Sequence, residues 1–367
     1  MRKRIHNILD TIPFWEREIV KINSVSEDEF PYNIDVLAEN LTIPWAIAIS
    51  EDGDIYFTER KGTIRKIHNG VLQPEPLLNL TDPFRIYGEG GLMGLVLDPN
   101  FSENHYMYIM YTYKENNNFY NRVQRLVEEG DKLILDKIIV DKIPGGRVHN
   151  GGRIKVGPDN KLYITTGDAG RSSLSQDFMS LAGKILRVEL DGEIPADNPI
   201  SVSPVLTYGH RNPQGLAWNS EGKLYESEHG NVAHDEINII IPGENYGWPL
   251  YQGDEMPSNS EETIMPPIFQ SGNITYAPSG ITFINEGPWK GNLLVASLRG
   301  ERLLRFILSE DGTKVENVES WLQNKYGRLR EVVEGKDGTI YITTSNRDGR
   351  SRRPAVTDDK ILRLTPK

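Results

Sequence analysis

The chain has 367 residues, of which 38% are hydrophobic and 9% aromatic, which is enough for a substantial core and excludes a disordered protein. A formal net charge of −11 argues against a surface for nucleic acid or anionic membrane, because binding phosphates requires clustered Lys and Arg. Cysteine is absent, so disulfides and thiolate chemistry are excluded.

The N-terminus leaves the cellular location open. Met1–Arg4 resembles the charged start of a signal peptide, but the residues that follow carry charges throughout and offer no apolar segment. No stretch is long and apolar enough to span a bilayer. The protein is therefore either cytoplasmic or exported by a signal that is missing from the chain as given.

One pattern recurs along the chain: an apolar strand, a turn rich in Asp, Asn and Gly, and a strand rich in Tyr, Ile and Thr. Successive copies are separated by roughly 40–65 residues, the range expected of propeller blades with insertions. A third strand follows most copies. The pattern predicts a six-bladed β-propeller with four-stranded antiparallel blades, in preference to two stacked sandwiches. The six copies begin at Trp45, Gly94, Gly152, Gly215, Gly280 and Arg330.

The closing blade supplies only three predicted strands of its own, at Arg330–Val333, Thr339–Thr344 and Lys360–Leu364. Asn33–Ala38 precedes the first blade and is predicted to provide the fourth, which would close the ring and remove an open sheet edge. We therefore predict a propeller over residues 31–367. Residues 1–30 have no place in the repeat and are expected to form a peripheral helix or tail.

Loops that leave equivalent strands of a propeller converge on one end of its channel, so residues far apart in sequence can meet there. The stretch Tyr208–Pro249 is the richest in polar residues, and its runs Gly215–Trp218 and Lys223–Glu228 are predicted to form a hairpin. The candidates include several arginines and a histidine beside glycines, which suits an anionic organic ligand next to a proton-transfer group. They are Glu89, His149, Asp168, Arg211, Asn212, Arg299, Arg328 and Arg330.

Seven ordered motifs then point to a known family. They are GEGGLMGL, HNGGRIKVGPDNKLYITTGDAG, LAGKILRV, GHRNPQGLAW, EHGNVAHDEIN, NYGWP and GRLREVV, and they run from about Thr42 to Leu364. With them the chain resembles the glucose/sorbosone dehydrogenase family, soluble quinoprotein aldose dehydrogenases that use pyrroloquinoline quinone (PQQ) and calcium. The resemblance implies a six-bladed propeller, in agreement with the repeat.

The resemblance also implies roles on the substrate side of the site. His149 matches the general base that takes a proton from the anomeric hydroxyl as hydride leaves C1 for the quinone. Arg211 and Asn212 match residues that approach the quinone and the substrate, and Gln214 in the same motif is a candidate substrate contact. Glu89 stands where glucose-specialised members carry Gln, which favours broad aldose specificity.

On the cofactor side, Arg328 and Arg330 match two arginines that contact PQQ, and guanidinium groups bind carboxylates bidentately. Arg299 stands where the family usually has Lys. The resemblance also implies calcium at the backbone carbonyls of Gly230 and Asn231, which are oxygen ligands of the kind that calcium prefers. The family commonly has Pro at the second of these positions.

The expected reaction is oxidation of an aldose sugar at C1 to the lactone, with an unidentified external electron acceptor and, by resemblance, a periplasmic or extracellular location. Nicotinamide binding is disfavoured because the glycines of GEGGLMG are not set in a βαβ unit. A zinc site at His229 and His234 is disfavoured because no acidic or sulfur cluster completes it. Two alternatives stay open: a calcium-dependent lactonase-type hydrolase, and a non-catalytic propeller that binds a sugar or protein.

Overall fold

A computed structural model describes residues 21–256, 263–351 and 354–367, and almost all of its regular structure is β. Two strands precede the repeat, β1 (Ile22–Ser24) and β2 (Tyr32–Ala38). Helical structure in the described ranges is limited to single turns: α1 at Phe101–Asn104, and three 3-10 turns at Glu27–Glu29, Ser172–Ser175 and Lys336–Gly338.

The first three blades follow in chain order, each built from antiparallel neighbours. Blade one contains β3 (Pro44–Ile49), β4 (Ile55–Glu59), β5 (Thr63–His68), β6 (Val71–Leu72) and β7 (Leu78–Asn79). Blade two contains β8 (Leu92–Leu97), β9 (Tyr106–Glu115), β10 (Asn118–Glu129) and β11 (Lys132–Pro144). Blade three contains β12 (Ile154–Val156), β13 (Leu162–Thr166), β14 (Lys184–Val188) and β15 (Val205–Tyr208).

The remaining three blades complete the ring. Blade four contains β16 (Pro213–Trp218), β17 (Leu224–Glu228), β18 (Glu236–Ile240) and β19 (Phe269–Gln270). Blade five contains β20 (Pro278–Phe283), β21 (Leu293–Ser297), β22 (Arg302–Leu308) and β23 (Val315–Trp321). Blade six contains β24 (Leu329–Glu334), β25 (Ile340–Thr344) and β26 (Ile361–Pro366). The predicted six blades are confirmed, as is the hairpin of β16 and β17.

The N-terminal strand closes the ring as predicted. Strand β2 pairs antiparallel with β26 and places Ile34 opposite Leu364, so blade six gains its fourth strand and the outer edge of β26 is covered. Strand β1 lies parallel to β23 on the outer edge of blade five. The described part of the segment expected to form a helix or tail contains β1 and the 3-10 turn Glu27–Glu29. Residues 1–20 lie outside the described residues, and the domain boundary near residue 30 stays a prediction.

The second strand of each blade forms the buried centre of the fold. Every residue of β4, β13, β17 and β21 is buried, because each blade is covered on both faces by its neighbours. Short apolar runs between polar loops are the sequence signature of such strands. Since these strands are fixed, the loops that follow them are held at one end of the channel. No helix in the described ranges is long and apolar enough to cross a membrane.

Candidate active site

A cavity of about 520 Å³ lies where the loops converge. Residues from all six blades and their connections line it, for example Arg60 after β4, His149 before β12 and Arg299 after β21. Of the candidate site residues named from the sequence, Asp168 and Asn231 are not among those lining it. Those that line it are Glu89, His149, Arg211, Asn212, Gln214, Gly230, Arg299, Arg328 and Arg330.

His149 is held by a buried carboxylate. Its Nδ1 lies 2.8 Å from Oδ1 of Asp168, which follows β13, and the Asp168 side chain is only 2% exposed. The backbone before Asp168 can lie this close to the backbone of His149 only because residue 167 is glycine, since a Cβ on Gly167 would lie 2.1 Å from the carbonyl oxygen of His149. With Nδ1 engaged, Nε2 is the ring nitrogen left for chemistry in the cavity.

The surroundings of Asp168 favour its ionised form. Burial acts to raise the pKa of its carboxyl, but the contact with His149, the indole N–H of Trp248 at 2.9 Å and the N–H of Gly170 at 2.7 Å outweigh it. The pKa therefore lies below its ordinary value, so the carboxylate is negative throughout the neutral range. A fixed negative charge beside an imidazole stabilises the protonated ring that forms when the histidine accepts a proton.

Glu89 links the base to the mouth of the cavity. One carboxylate oxygen accepts the backbone N–H of His149 at 3.1 Å, and the other forms an ion pair with Arg350 from the loop between β25 and β26. The Arg350 side chain is 59% exposed. The negative charge of Glu89 is thus compensated by a cation that can change partners at low cost, because exposed ion pairs are weak.

Arg328 and Arg330 lie at the start of β24 and share the carboxylate of Asp348. Arg328 binds it with Nε at 2.9 Å and an Nη at 2.8 Å, whereas Arg330 lies 3.9 Å away. Burial acts to raise the pKa of Asp348, but the two arginines hold it below its ordinary value. Burial lowers the pKa of Arg330 to about 9, with Asp348 opposing that shift and Arg328 adding to it. Arg330 therefore keeps its charge at neutral pH.

Gln214 holds Arg330 in place with a hydrogen bond. Its Oε1 accepts an N–H of Arg330 at 2.8 Å, and its Nε2 donates to the carbonyl of Gly151 at 3.0 Å. Both ends of the amide are therefore used by the protein, and the side chain is buried. The structure gives Gln214 a positioning role, and its predicted contact with substrate stays a prediction.

Arg211 and Asn212 form the opposite wall. Arg211 donates to the carbonyl of His229 at 3.1 Å and lies over the ring of Trp248, 5.3 Å from its centroid. Burial lowers the pKa of its guanidinium. Asn212 accepts the backbone N–H of Gly151 at 3.1 Å, which fixes the loop that carries His149. The two predicted residues thus differ in role: one presents charge and the other shapes the loop.

The cavity lining is rich in positive charge and short of hydrogen-bond partners. Three of its buried nitrogens have no partner among the described residues: Nε of Arg211, Nε2 of His229 and Nε of Arg330. Buried polar groups are normally paired, so an unpaired set in one cavity indicates a polar ligand. Three carboxylates face six arginines, namely Arg60, Arg211, Arg299, Arg328, Arg330 and Arg350. This donor set fits a ligand that carries several carboxylates.

The segment implied in calcium binding is an exposed turn after β17. Gly230 lines the cavity, and its N–H donates to Oδ1 of Asp235 at 3.1 Å. The Asn231 carbonyl accepts the N–H of Ala233 at 2.8 Å. A carbonyl oxygen has two lone pairs, so this bond leaves one for a metal. Asp235 also accepts the N–H groups of Tyr276 and Ala277 and so ties this turn to the chain before β20.

A second group of ligating side chains is buried between blades three and four. His210, Glu226 and Glu228 offer atoms within 4.8 Å of one another. Glu228 binds Nδ1 of His210 at 2.8 Å, while Asn238 donates to Glu226 at 3.1 Å. Burial raises the pKa of Glu226 well above its ordinary value, and the charge of Glu228 adds to the shift. The buried surroundings therefore favour the protonated form of this carboxyl.

Sequence reasoning missed several residues of the cavity. Arg60 and Asp348 follow the second strands β4 and β25, the same position from which Asp168 and Arg299 reach the site. That shared position was the signal that could have found them. Trp45, at the start of blade one, lies 5.5 Å from the guanidinium of Arg330. Its bulk and place in an apolar run gave no sign of a role in the site.

Comparisons with known proteins identify the family and the overall fold. A family model described as Glucose / Sorbosone dehydrogenase matches residues 41–356. Quinoprotein glucose dehydrogenase B of Acinetobacter calcoaceticus is 31% identical over 333 residues, which cover 78% of this chain and 67% of that protein. The aldose sugar dehydrogenase YliI of Escherichia coli strain K12 is 30% identical over 341 residues, or 86% and 91% of the two chains. The PQQ-bound aldose sugar dehydrogenase of Streptomyces coelicolor has a TM-score of 0.82 at 36% identity, with 92% and 98% covered.

Proposed function

The chain belongs to the glucose/sorbosone dehydrogenase family, and on that premise we propose that it oxidises aldose sugars at C1 to the lactone, using PQQ and calcium. The observation that carries the proposal is the pairing of an oriented histidine with an arginine-rich cavity in which three buried nitrogens lack partners among the described residues. The first supplies a base and the second suits a carboxylate-bearing cofactor.

Five residues would hold the cofactor. Arg328 and Arg330 offer guanidinium groups on one wall, and Arg299 extends the same charge from the neighbouring blade. Arg211 and Asn212 stand on the other wall. Guanidinium forks match carboxylates in shape and charge, so the excess of arginine over carboxylate in the cavity would be compensated on binding. When bound, PQQ supplies a quinone that accepts the hydride from C1.

His149 is the general base in this proposal. Its Nε2 takes the proton of the C1 hydroxyl, which lets electron density from that oxygen form the new C=O bond as hydride leaves C1. Asp168 keeps the proton of the neutral ring on Nδ1, so that Nε2 has a free lone pair, and its charge stabilises the ring once protonated. The guanidinium of Arg211 stabilises negative charge that develops on the reacting oxygens.

Glu89 would contact the sugar. Its carboxylate is anchored by His149 and Arg350, so it can accept hydrogen bonds from sugar hydroxyls without leaving an uncompensated charge. Charged hydrogen bonds to hydroxyl groups shared by all aldoses support broad substrate specificity. The electron acceptor would be an external one, and the location outside the cytoplasm stays an expectation.

Calcium would be held by the backbone carbonyls of Gly230 and Asn231. The oxygen-only donor set suits calcium, and cofactor oxygens would complete it. The lactonase alternative is less well supported, because a calcium-dependent hydrolase needs a ring of carboxylate and amide ligands and this cavity is lined by arginines instead.

One experiment separates these functions. Purified protein is mixed with PQQ and calcium, and binding is followed by the absorbance of the quinone before glucose is added. We expect cofactor binding, bleaching of the quinone by glucose, and loss of both after treatment with a calcium chelator. Hydrolysis of a lactone in the absence of PQQ would favour the hydrolase, and full sugar oxidation after exhaustive removal of calcium would contradict the metal assignment.

A further inference from the structure

A second cavity of about 540 Å³ adjoins the active-site cavity. Its walls come from blades five and six: the turn between β21 and β22, the loop between β23 and β24, and the loop between β25 and β26. Arg299, Arg328 and Arg350 line both cavities. We call this second cavity the basic annex.

The annex is positively charged in a chain whose net charge is −11. Among the described residues, two carboxylates, Glu301 and Asp358, line it against five cations, namely Arg299, Lys325, Arg328, Arg350 and Lys360. A concave surface of one sign raises the local concentration of oppositely charged ligands. The positive charge of the annex therefore favours anionic ligands, although the net charge of the whole protein repels them.

Several of these cations have spare capacity. Arg299 and Arg328 are assigned to the cofactor, so the cations left for a second anion are Lys325, Arg350 and Lys360. Lys325 lies 3.5 Å from Glu27 at the exposed surface, and Lys360 lies 3.5 Å from Asp358. The exposed pair of Lys325 holds little energy and can be exchanged for a ligand, whereas Lys360 is largely buried with Asp358 and contributes charge only. Lys325 and the exposed Arg350 are thus available to one bound group.

Glu89 connects the proposed base, His149, to the annex. Glu89 accepts the N–H of His149 with one carboxylate oxygen and pairs with Arg350 through the other. A sugar whose C1 hydroxyl meets His149 while other hydroxyls meet Glu89 is therefore next to Arg350. The end of this sugar that is remote from C1 then faces the basic annex.

We propose that the basic annex binds an anionic group, a phosphate ester or a carboxylate, carried on the end of the aldose remote from C1. The inference rests on the proposed function and adds to it a substrate class, the anionic aldoses. Tyr326, Asn324 and Ser351 also line the annex and would suit a neutral sugar, but such a sugar would gain nothing from the excess of cations over carboxylates. Arg350 prevents Glu89 from repelling the anion.

The test compares glucose with glucose 6-phosphate on enzyme loaded with PQQ and calcium, at low ionic strength and with an uncharged electron acceptor. We expect kcat/KM for the phosphate ester to be about tenfold higher, as for one charge-assisted hydrogen bond, and the preference to shrink as salt is added. Lys325→Ala should lower that value about two- to fivefold and leave the kinetics of glucose unchanged. Lys290→Ala, which removes the same charge from a different exposed cavity, is the matched control.

Binding without turnover gives an independent measure. Calorimetry with 1,5-anhydroglucitol 6-phosphate, which lacks the reactive C1 hydroxyl, should show tighter binding than the unphosphorylated compound, and Lys325→Ala should reduce the difference. Equal affinities, or equal effects of the two lysine variants, would overturn the inference while leaving glucose oxidation intact. If Lys325→Ala instead alters KM only for an anionic electron acceptor, the annex is an acceptor site and the inference is wrong. Absence of any sugar oxidation would reject the proposed function itself.

Discussion

The role of Asp168 can be tested by Asp168→Asn, which keeps the shape of the side chain and removes its charge. In the structure both carboxylate oxygens accept: Oδ1 from His149 and Gly170, and Oδ2 from the indole of Trp248. An amide has only one accepting end. Its NH₂ group must face either the indole N–H, where two donors collide, or Nδ1 of His149, which must then shift its proton to Nε2.

Either arrangement weakens the base. The lost interaction is a hydrogen bond to a charged group, worth about 1.5–3 kcal/mol, and about 1.4 kcal/mol corresponds to a factor of ten, so kcat should fall about 10- to 150-fold. The assay is the rate of glucose oxidation per bound PQQ, with bound cofactor measured by its absorbance. PQQ affinity should change little, because Asp168 lies behind His149.

The matched control is Asp159→Asn in the same blade. Asp159 pairs with Arg187 at 2.7 Å and does not line the cavity. Its loss should lower stability without changing kcat. If Asp168→Asn turns over at the wild-type rate with equal cofactor loading, the carboxylate does not orient the base and the proposed mechanism is wrong at this point.

Three further predictions follow from the same geometry. His149→Asn should lose kcat by about 10²–10⁴-fold while PQQ and calcium binding stay near normal, and a wild-type rate would show that another group is the base. Arg330→Ala should weaken PQQ binding by more than about 1.5 kcal/mol in an absorbance titration, whereas Arg299→Lys should leave it unchanged or tighter; unchanged affinity in the first variant would place the carboxylates elsewhere. Glu226→Gln tests the buried carboxyl. Because burial raises the pKa of Glu226 in the folded state, the folded protein keeps a proton that the unfolded chain releases above about pH 4.3. Wild-type stability therefore falls as the pH rises from about 4.3 towards the folded pKa. The melting temperature of Glu226→Gln should therefore rise relative to that of the wild type between pH 5 and pH 8. Exposed Glu316→Gln is the control. A difference in melting temperature that does not change with pH would contradict the raised pKa.

The fold was accessible from the sequence because its signals are local and repeated. Each blade carries an apolar first strand, a turn of Asp, Asn or Gly and a buried second strand, and six copies reinforce one another. The closing pair of β2 and β26 was predictable for a different reason: blade six lacked a fourth strand, and the segment before blade one was free to supply it. Strand β1 gave no comparable signal, because three residues on an outer edge need no repeat.

The contacts within the site were less accessible because they depend on ring closure. Glu89 and Arg350 are 261 residues apart, and only the meeting of blades two and six at the channel brings them together. The same holds for Gln214 and Arg330, which are 116 residues apart. Residue type alone favours a substrate contact for Gln214, whereas its two hydrogen bonds to the protein show it supporting an arginine. Motifs identify which residues reach the cavity, and geometry decides what each one holds.

The charge of the cavity explains why composition was a poor guide to its ligand. A net charge of −11 describes the outer surface, whereas the interior of the channel mouth holds six arginines against three carboxylates. Burial and mutual repulsion lower the pKa of Arg330, so the folded protein keeps these charges at a cost in stability. Sites that break the rules of stable packing in this way are expected where a ligand supplies the missing partners. The physical argument for an anionic cofactor is therefore that the protein alone leaves these charges uncompensated.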